Sequence, residues 1–195
     1  MNTPNKITLG RIAMTPVIAG LIYQDGLVER WLAFLAFSAA AISDIIDGRL
    51  ARDKGQITRF GQLLDPIADK LLVLVTFIPL YGVGLLPMWL VLLVLGREVV
   101  ITVFRRMALS RGVVIAASGW GKSKALVQNW FVGSLLVLRL NLGYRPAGGG
   151  PWFEHWQGYT REVVGVSFWF VVVLTVLSLI DYLVKHRDVL SDAPA

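Results

Sequence analysis

Four aspartates, Asp44, Asp47, Asp65 and Asp69, lie in stretches otherwise apolar enough to sit in a membrane. A carboxylate there is costly, and an ionisable group inside a membrane segment marks a functional site by default. Four neighbouring carboxylates stay ionised only beside cations. An all-oxygen donor set favours Mg²⁺, Mn²⁺ or Ca²⁺ over zinc. The chemistry that fits is the handling of a charged phosphate group, where two held cations stabilise the entering and leaving oxygens of a displacement at phosphorus.

Spacing tells which elements must carry these residues. Asp44, Asp47, Gly48, Ala51 and Arg52 follow one another by three, one, three and one, so a helix displays them along one stripe. Gly61, Asp65 and Asp69 recur every four residues and form a second stripe. Gly48 and Gly61 allow close backbone approach between membrane helices. The short polar link DKGQITR lets the two helices pair antiparallel, with the stripes facing each other. The competing reading is that the acids merely pair with Arg49, Arg52, Arg59 and Lys70. Salt bridging alone does not call for two carboxylate pairs at regular helical spacing.

The whole stretch, Asp44-x-x-Asp47-Gly48-x-x-Ala51-Arg52, eight residues, then Gly61-x-x-x-Asp65-x-x-x-Asp69, resembles the signature of the CDP-alcohol phosphotransferases at every position. The resemblance implies a metal-dependent transferase with two divalent ions, Mg²⁺ or Mn²⁺, on the four aspartates. It also makes Asp69 the general base. Gly48, Arg52, Thr58 and Gly61 would then lie along the nucleotide. Thr58 reads equally well as the N-cap of the following helix. Near the N-terminus, Asn5, Thr8 and Arg11 share a helix face. They read either as interfacial anchors or, by resemblance to the phosphatidylglycerophosphate synthases, as an element close to the nucleotide.

Composition sets the frame. Of 195 residues, 55% are hydrophobic and 16% charged, and the mean hydropathy of +0.63 exceeds what a soluble domain carries. The expectation is one domain over 1–195. It is an all-α, polytopic integral membrane protein of six transmembrane helices, with a short N-terminal interfacial helix and a first span interrupted at Pro16. The other spans are expected at 31–52, 60–81, 88–109, 122–142 and 161–184. Between the last two lies a loop rich in glycine and aromatics, in which Trp152, Phe153, Trp156 and Tyr159 form an interfacial cluster. No cysteine is present, which excludes disulfide and thiolate chemistry. No cleavable signal peptide is expected.

The net charge of +6 serves orientation. With six spans, fourteen of the lysines and arginines fall on one side and four on the other, leaving aside Arg97 in mid-helix. The richer side is cytoplasmic, so the aspartates face the cytoplasm from the cell inner membrane. Basic residues with aromatic platforms on a soluble face are lacking, and no nucleic-acid partner is expected. Arg97 and Glu98 are expected to pair with the acidic site or with each other. His155 and His186 are expected to have no catalytic role.

Arg105, Lys122 and Lys124 would suit an acceptor that bears a phosphate, or serve only as positive-inside residues. GREVVITVFRR and GWGKSKA resemble the corresponding region of the phosphatidylglycerophosphate synthases. This implies transfer of a phosphatidyl group from CDP-diacylglycerol to sn-glycerol 3-phosphate with release of CMP, by an enzyme that is a homodimer. The alternatives are another acceptor (inositol phosphate, serine or a second lipid), a divalent-cation transporter, and a structural scaffold. The transporter would need a polar path across the membrane, which WLAFLAFSAAAI and LLVLVTFIPLY do not offer.

Overall fold

A computed structural model describes the backbone of residues 3–53, 59–110, 119–143 and 151–185, and the side chains of 7–44, 68, 70–109, 126–143 and 154–185. These residues form six helices and no strand: α1 Thr3–Tyr23, α2 Leu27–Asp53, α3 Arg59–Gly82, α4 Met88–Ser110, α5 Gly119–Gly143 and α6 Pro151–Lys185.

The first helix departs from expectation. It is one element, not an interfacial helix followed by a span broken at Pro16. Proline leaves the carbonyl four residues earlier without its amide donor. Here the Thr15 hydroxyl donates to the Ile12 carbonyl at 2.6 Å, so a side chain supplies what the ring removed and the helix runs on. The second span, expected from residue 31, starts earlier, since α2 begins at Leu27 and shortens the turn before it. Arg30 N–H already donates to the Gly26 carbonyl at 3.1 Å. The far loop is shorter too. Pro151 opens α6 and Glu154 stands in its first turn, a combination that starts helices well.

Between α3 and α4 the chain turns on Gly84, whose φ of 76° suits a residue without Cβ. Leu85 N–H reaches back to the Leu80 carbonyl at 2.9 Å, closing the helix end as a Schellman motif.

Packing gives α1 a central place. It lies against both α2 and α3, whereas α5 packs on α6 and α2, and α4 touches α6 and α3 more thinly. The buried face of α1 runs Thr8, Arg11, Thr15, Ile18, Ile22, polar toward the aspartates and apolar beyond. The apolar core continues through Phe77, Phe131 and Phe168, with Phe131 6.4 Å from Phe77 and 6.1 Å from Phe168 between ring centroids. At the end away from the aspartates, Arg139 donates to the Gln24 carbonyl at 2.9 Å and to Asp25 at 3.3 Å. Arg30 donates to the Arg139 carbonyl at 2.9 Å. These bonds pin the α1–α2 turn to α5.

Among the described residues, one segment is by itself long and apolar enough to cross a membrane, Glu154–Lys185; shorter apolar helices run over Ile7–Tyr23 and Lys70–Gly82. The six-span expectation therefore meets the simple length-and-composition criterion at one helix. Charged residues interrupt some of the others, as Arg97 and Glu98 do in α4.

Phe131 is fully buried at the centre of the aromatic cluster. Phe131→Ala is expected to cost about 3 kcal/mol, seen as a lowered unfolding temperature of the detergent-purified protein. An unchanged melting curve would contradict this packing.

Candidate functional site

The site is built from α1 outward. Thr8 and Arg11 are 2% and 3% exposed, so a guanidinium is buried between helices and needs an anion. It finds one on α2: Arg11 Nη1 donates to Asp44 Oδ1. The Asp44 side chain is 36% exposed and keeps an open side. A bond between a charged donor and a charged acceptor is among the stronger ones available, and it sets depth as well as contact.

That pair fixes the register of α1 against α2, which run antiparallel. The register of α1 against α3, which run parallel, is fixed at the other end. There the Tyr23 ring lies on Gly82, where an added Cβ would meet Tyr23 Cε1 at 2.8 Å. Twelve residues back from Tyr23 is Arg11; twelve back from Gly82 is Lys70. Asp44 and Lys70 thus share a depth through Arg11, and Asp47 falls level with Thr8 and position 67. At about 1.5 Å per residue the backbones of all four aspartates fall in a band about 8 Å deep. The sequence pairs α2 with α3 directly. The structure adds α1 against both, with Arg11 as the link, a residue the sequence reading sets beside Asn5 and Thr8 but leaves out of the site. The signal was the three-residue step, and its weakness was that a basic residue near a helix start also reads as an anchor.

Of the remaining residues singled out by sequence, Arg105 is exposed near the end of α4. The side chains of Asn5, Asp47, Gly48, Arg52, Gly61, Asp65, Asp69, Lys122 and Lys124, and Thr58 altogether, lie outside the described residues. Among those described, no group of three acids or histidines gathers. Of the four aspartates, Asp44 is the one whose side chain is described. A half-exposed carboxylate in a set of carboxylates is a donor of the right hardness for Mg²⁺ or Mn²⁺.

Lys70 settles one question. Its ammonium donates to Thr102 Oγ1 on α4 at 2.6 Å, so it turns toward α4 instead of serving as counter-ion to Asp44. Arg97 and Glu98 pair with each other at 3.0 Å, and Arg97 Nε also donates to Ser178 on α6 at 3.3 Å. At the opposite end, Trp156 and Tyr159 are exposed with ring centroids 6.2 Å apart. They belong to the first turns of α6 and not to a loop. Trp156 Nε1 and Gln157 Nε2 donate to the Asn141 side chain and carbonyl at 3.3 and 3.0 Å.

The backbones of the four aspartates thus lie in one band of depth on α2 and α3, with a buried guanidinium on a third helix. The chain belongs to the CDP-alcohol phosphatidyltransferase family, whose model matches residues 1–180. It is 38% identical over 192 residues to a protein of Mycobacterium tuberculosis named probable phosphatidylglycerophosphate synthase, covering 96% of this chain and 83% of that one. It is 32% identical over 201 residues to the CDP-diacylglycerol--glycerol-3-phosphate 3-phosphatidyltransferase of Bacillus subtilis, covering 97% of both. A protein of that same name from Rickettsia bellii is 39% identical over 137 residues, 70% of this chain and 75% of the other.

The Arg11–Asp44 pair has unequal members. Arg11 is buried, so removing Asp44 takes one anionic partner from a charge held away from water, and losing one member of such a pair costs about 3 kcal/mol. Removing Arg11 leaves a carboxylate that water reaches. In chelator, Asp44→Asn should therefore lower the unfolding temperature; an unchanged melting curve would contradict the pairing described.

Proposed function

We propose that this chain is a membrane phosphatidyltransferase. It moves the phosphatidyl group of CDP-diacylglycerol to sn-glycerol 3-phosphate, releasing CMP and forming phosphatidylglycerol phosphate. The observation that carries this is the shared depth of Asp44, Asp47, Asp65 and Asp69, set by Arg11 and by Tyr23 on Gly82. The donor and acceptor come from the names of relatives that match nearly the whole chain.

All six helices span the bilayer in this reading. What supports it is the outer surface. Val17, Leu35, Ile78, Leu92, Trp130 and Trp169, one on each helix, are 45–68% exposed, an apolar girdle unlike the surface of a water-soluble monomer. The aspartate end carries most of the lysine and arginine, which orients it to the cytoplasm of the inner membrane. A soluble nucleotide headgroup then meets the site from the cytosol while the acyl chains stay in lipid. The active form is a homodimer, a proposal that rests on family resemblance.

Asp44, Asp47, Asp65 and Asp69 would hold two divalent ions, Mg²⁺ or Mn²⁺, which when bound neutralise the diphosphate and stabilise charge at the entering and leaving oxygens. The protein's own residues do the rest. Asn5, Thr8, Thr58 and Arg52 hold the CDP moiety, with Gly48 and Gly61 leaving room for it. Arg11 holds Asp44 at its depth. Arg105, Lys122 and Lys124 receive the phosphate of the acceptor. Asp69 takes the proton of the 1-hydroxyl. The freed oxygen forms a bond to the phosphorus that carries diacylglycerol, the bond from that phosphorus to the CMP oxygen breaks, and CMP departs.

The test is CMP release by purified protein from CDP-diacylglycerol, with separate acceptors. Release is expected with glycerol 3-phosphate and Mg²⁺, and none with chelator. Asp69→Asn should lower turnover by about 10³-fold with the fold retained. Release with another alcohol and none with glycerol 3-phosphate would refute the acceptor. Flux of Mn²⁺ into vesicles without nucleotide would favour a transporter.

A further inference from the structure

α4 is thinly packed on α3, and the cleft between them, about 220 Å³, is lined by Val73, Leu74, Leu95, Val99 and Val103 together with Lys70, Glu98 and Thr102. Into this mostly apolar cleft the chain places a lysine. An ammonium in such surroundings is costly unless bonded. Lys70 spends its charge on a neutral hydroxyl, Thr102 Oγ1, at 2.6 Å. The polarity of that bond is fixed. Thr102 has one hydroxyl proton and donates it to the Glu98 carbonyl at 2.6 Å, so its lone pair is left facing Lys70. Glu98 accepts from Arg97 at 3.0 Å, Arg97 donates to Ser178 at 3.3 Å, and Ser178 donates to the Thr175 carbonyl at 3.0 Å. A polar chain thus runs from α3 through α4 to α6 across otherwise apolar packing.

Lys70 follows Asp69 and comes five residues after Asp65 on one rigid helix. The opposite side of that stretch is tied down by Ala68, which is fully buried. We propose that the Lys70–Thr102 bond sets the rotation of α3 about its axis, and that both are positioning residues for Asp65 and Asp69 without touching substrate. This rests on the function proposed above. A rotation of roughly 20°, acting at a side-chain radius of about 6 Å, moves a carboxylate by about 2 Å. A displacement of about 1 Å at a reacting group can cost on the order of 100-fold in rate.

The experiment is a double-mutant cycle on the full chain in detergent: Thr102→Val, Lys70→Met and both together, with Thr102→Ser as the conservative variant. Rates are normalised to folded protein by size-exclusion chromatography. Each single variant is expected to lower kcat on the order of 100-fold, with KM for both substrates held within about twofold. The double variant should fall no further than the worse single one, Mn²⁺ affinity should weaken in step, and Thr102→Ser should keep most activity. Wild-type rates in Thr102→Val, a double variant equal to the product of the singles, or Thr102→Ser falling as far as Thr102→Val would each overturn the proposal. Failure of both Thr102→Val and Thr102→Ala to fold would also overturn it, since the bond would then serve the fold as a whole. A wild-type protein that releases no CMP overturns the functional reading instead, and is seen before any variant is compared.

Discussion

One electrostatic constraint stands at the centre of this bundle: four aspartates whose backbones share one band of depth on helices otherwise apolar. Uncompensated, like charges repel each other. The described part of the answer is a guanidinium. Arg11, buried on α1, takes Asp44 on α2 as its partner, and α1 in turn lies along α3 with Tyr23 on Gly82. One helix therefore sets the depth of both acidic stripes. The same face of α1 becomes Ile18 and Ile22 farther on, so a single helix is polar packing at one end and hydrophobic core at the other.

That division explains how rigidity is distributed. The half away from the aspartates is closed by Phe77, Phe131 and Phe168 and by the Arg30–Asp25–Arg139 bonds. The half that carries the acids has a smaller apolar cluster, Ile101, Phe104, Ala108 and Tyr182, together with the polar contacts Arg11–Asp44 and Lys70–Thr102. Each of these contacts is directional, unlike apolar packing, and a site for phosphate chemistry gains from that. Positioning and electrostatics are nearly all that displacement at phosphorus asks of a protein.

Much of this could be read from the chain alone, for physical reasons. Carboxylate spacing of three and four residues calls for a helix whatever surrounds it, so the two helices that carry the aspartates were legible. Helices α3, α4 and α5 begin and end within a few residues of expectation, because apolar runs bounded by Gly, Pro and polar clusters leave little choice. The failures were local hydrogen bonds that periodicity does not carry. Pro16 reads as a break, since the rescue by Thr15 needs a side chain in one rotamer. The first turns of α6 read as loop, since the glycine run hides Pro151 as a helix start. Lys70 carries no sequence signal for its partner, and only the phase of α3 against α4 reveals Thr102. The position of α1 against both α2 and α3 is a tertiary fact, and the sequence held only the hint that Thr8 and Arg11 share a face.

The central claim is that α2 and α3 jointly hold the same cations. It is tested most directly by Mn²⁺ binding to the purified protein, following free Mn²⁺ by electron paramagnetic resonance in wild type, Asp47→Asn, Asp65→Asn and the double variant. The account predicts saturable binding of about two ions, weakened by either single substitution, with the double variant no weaker than their coupled loss. If Asp47→Asn and Asp65→Asn each remove a separate ion and leave the other's affinity untouched, or if wild type binds none, the two helices do not share a site.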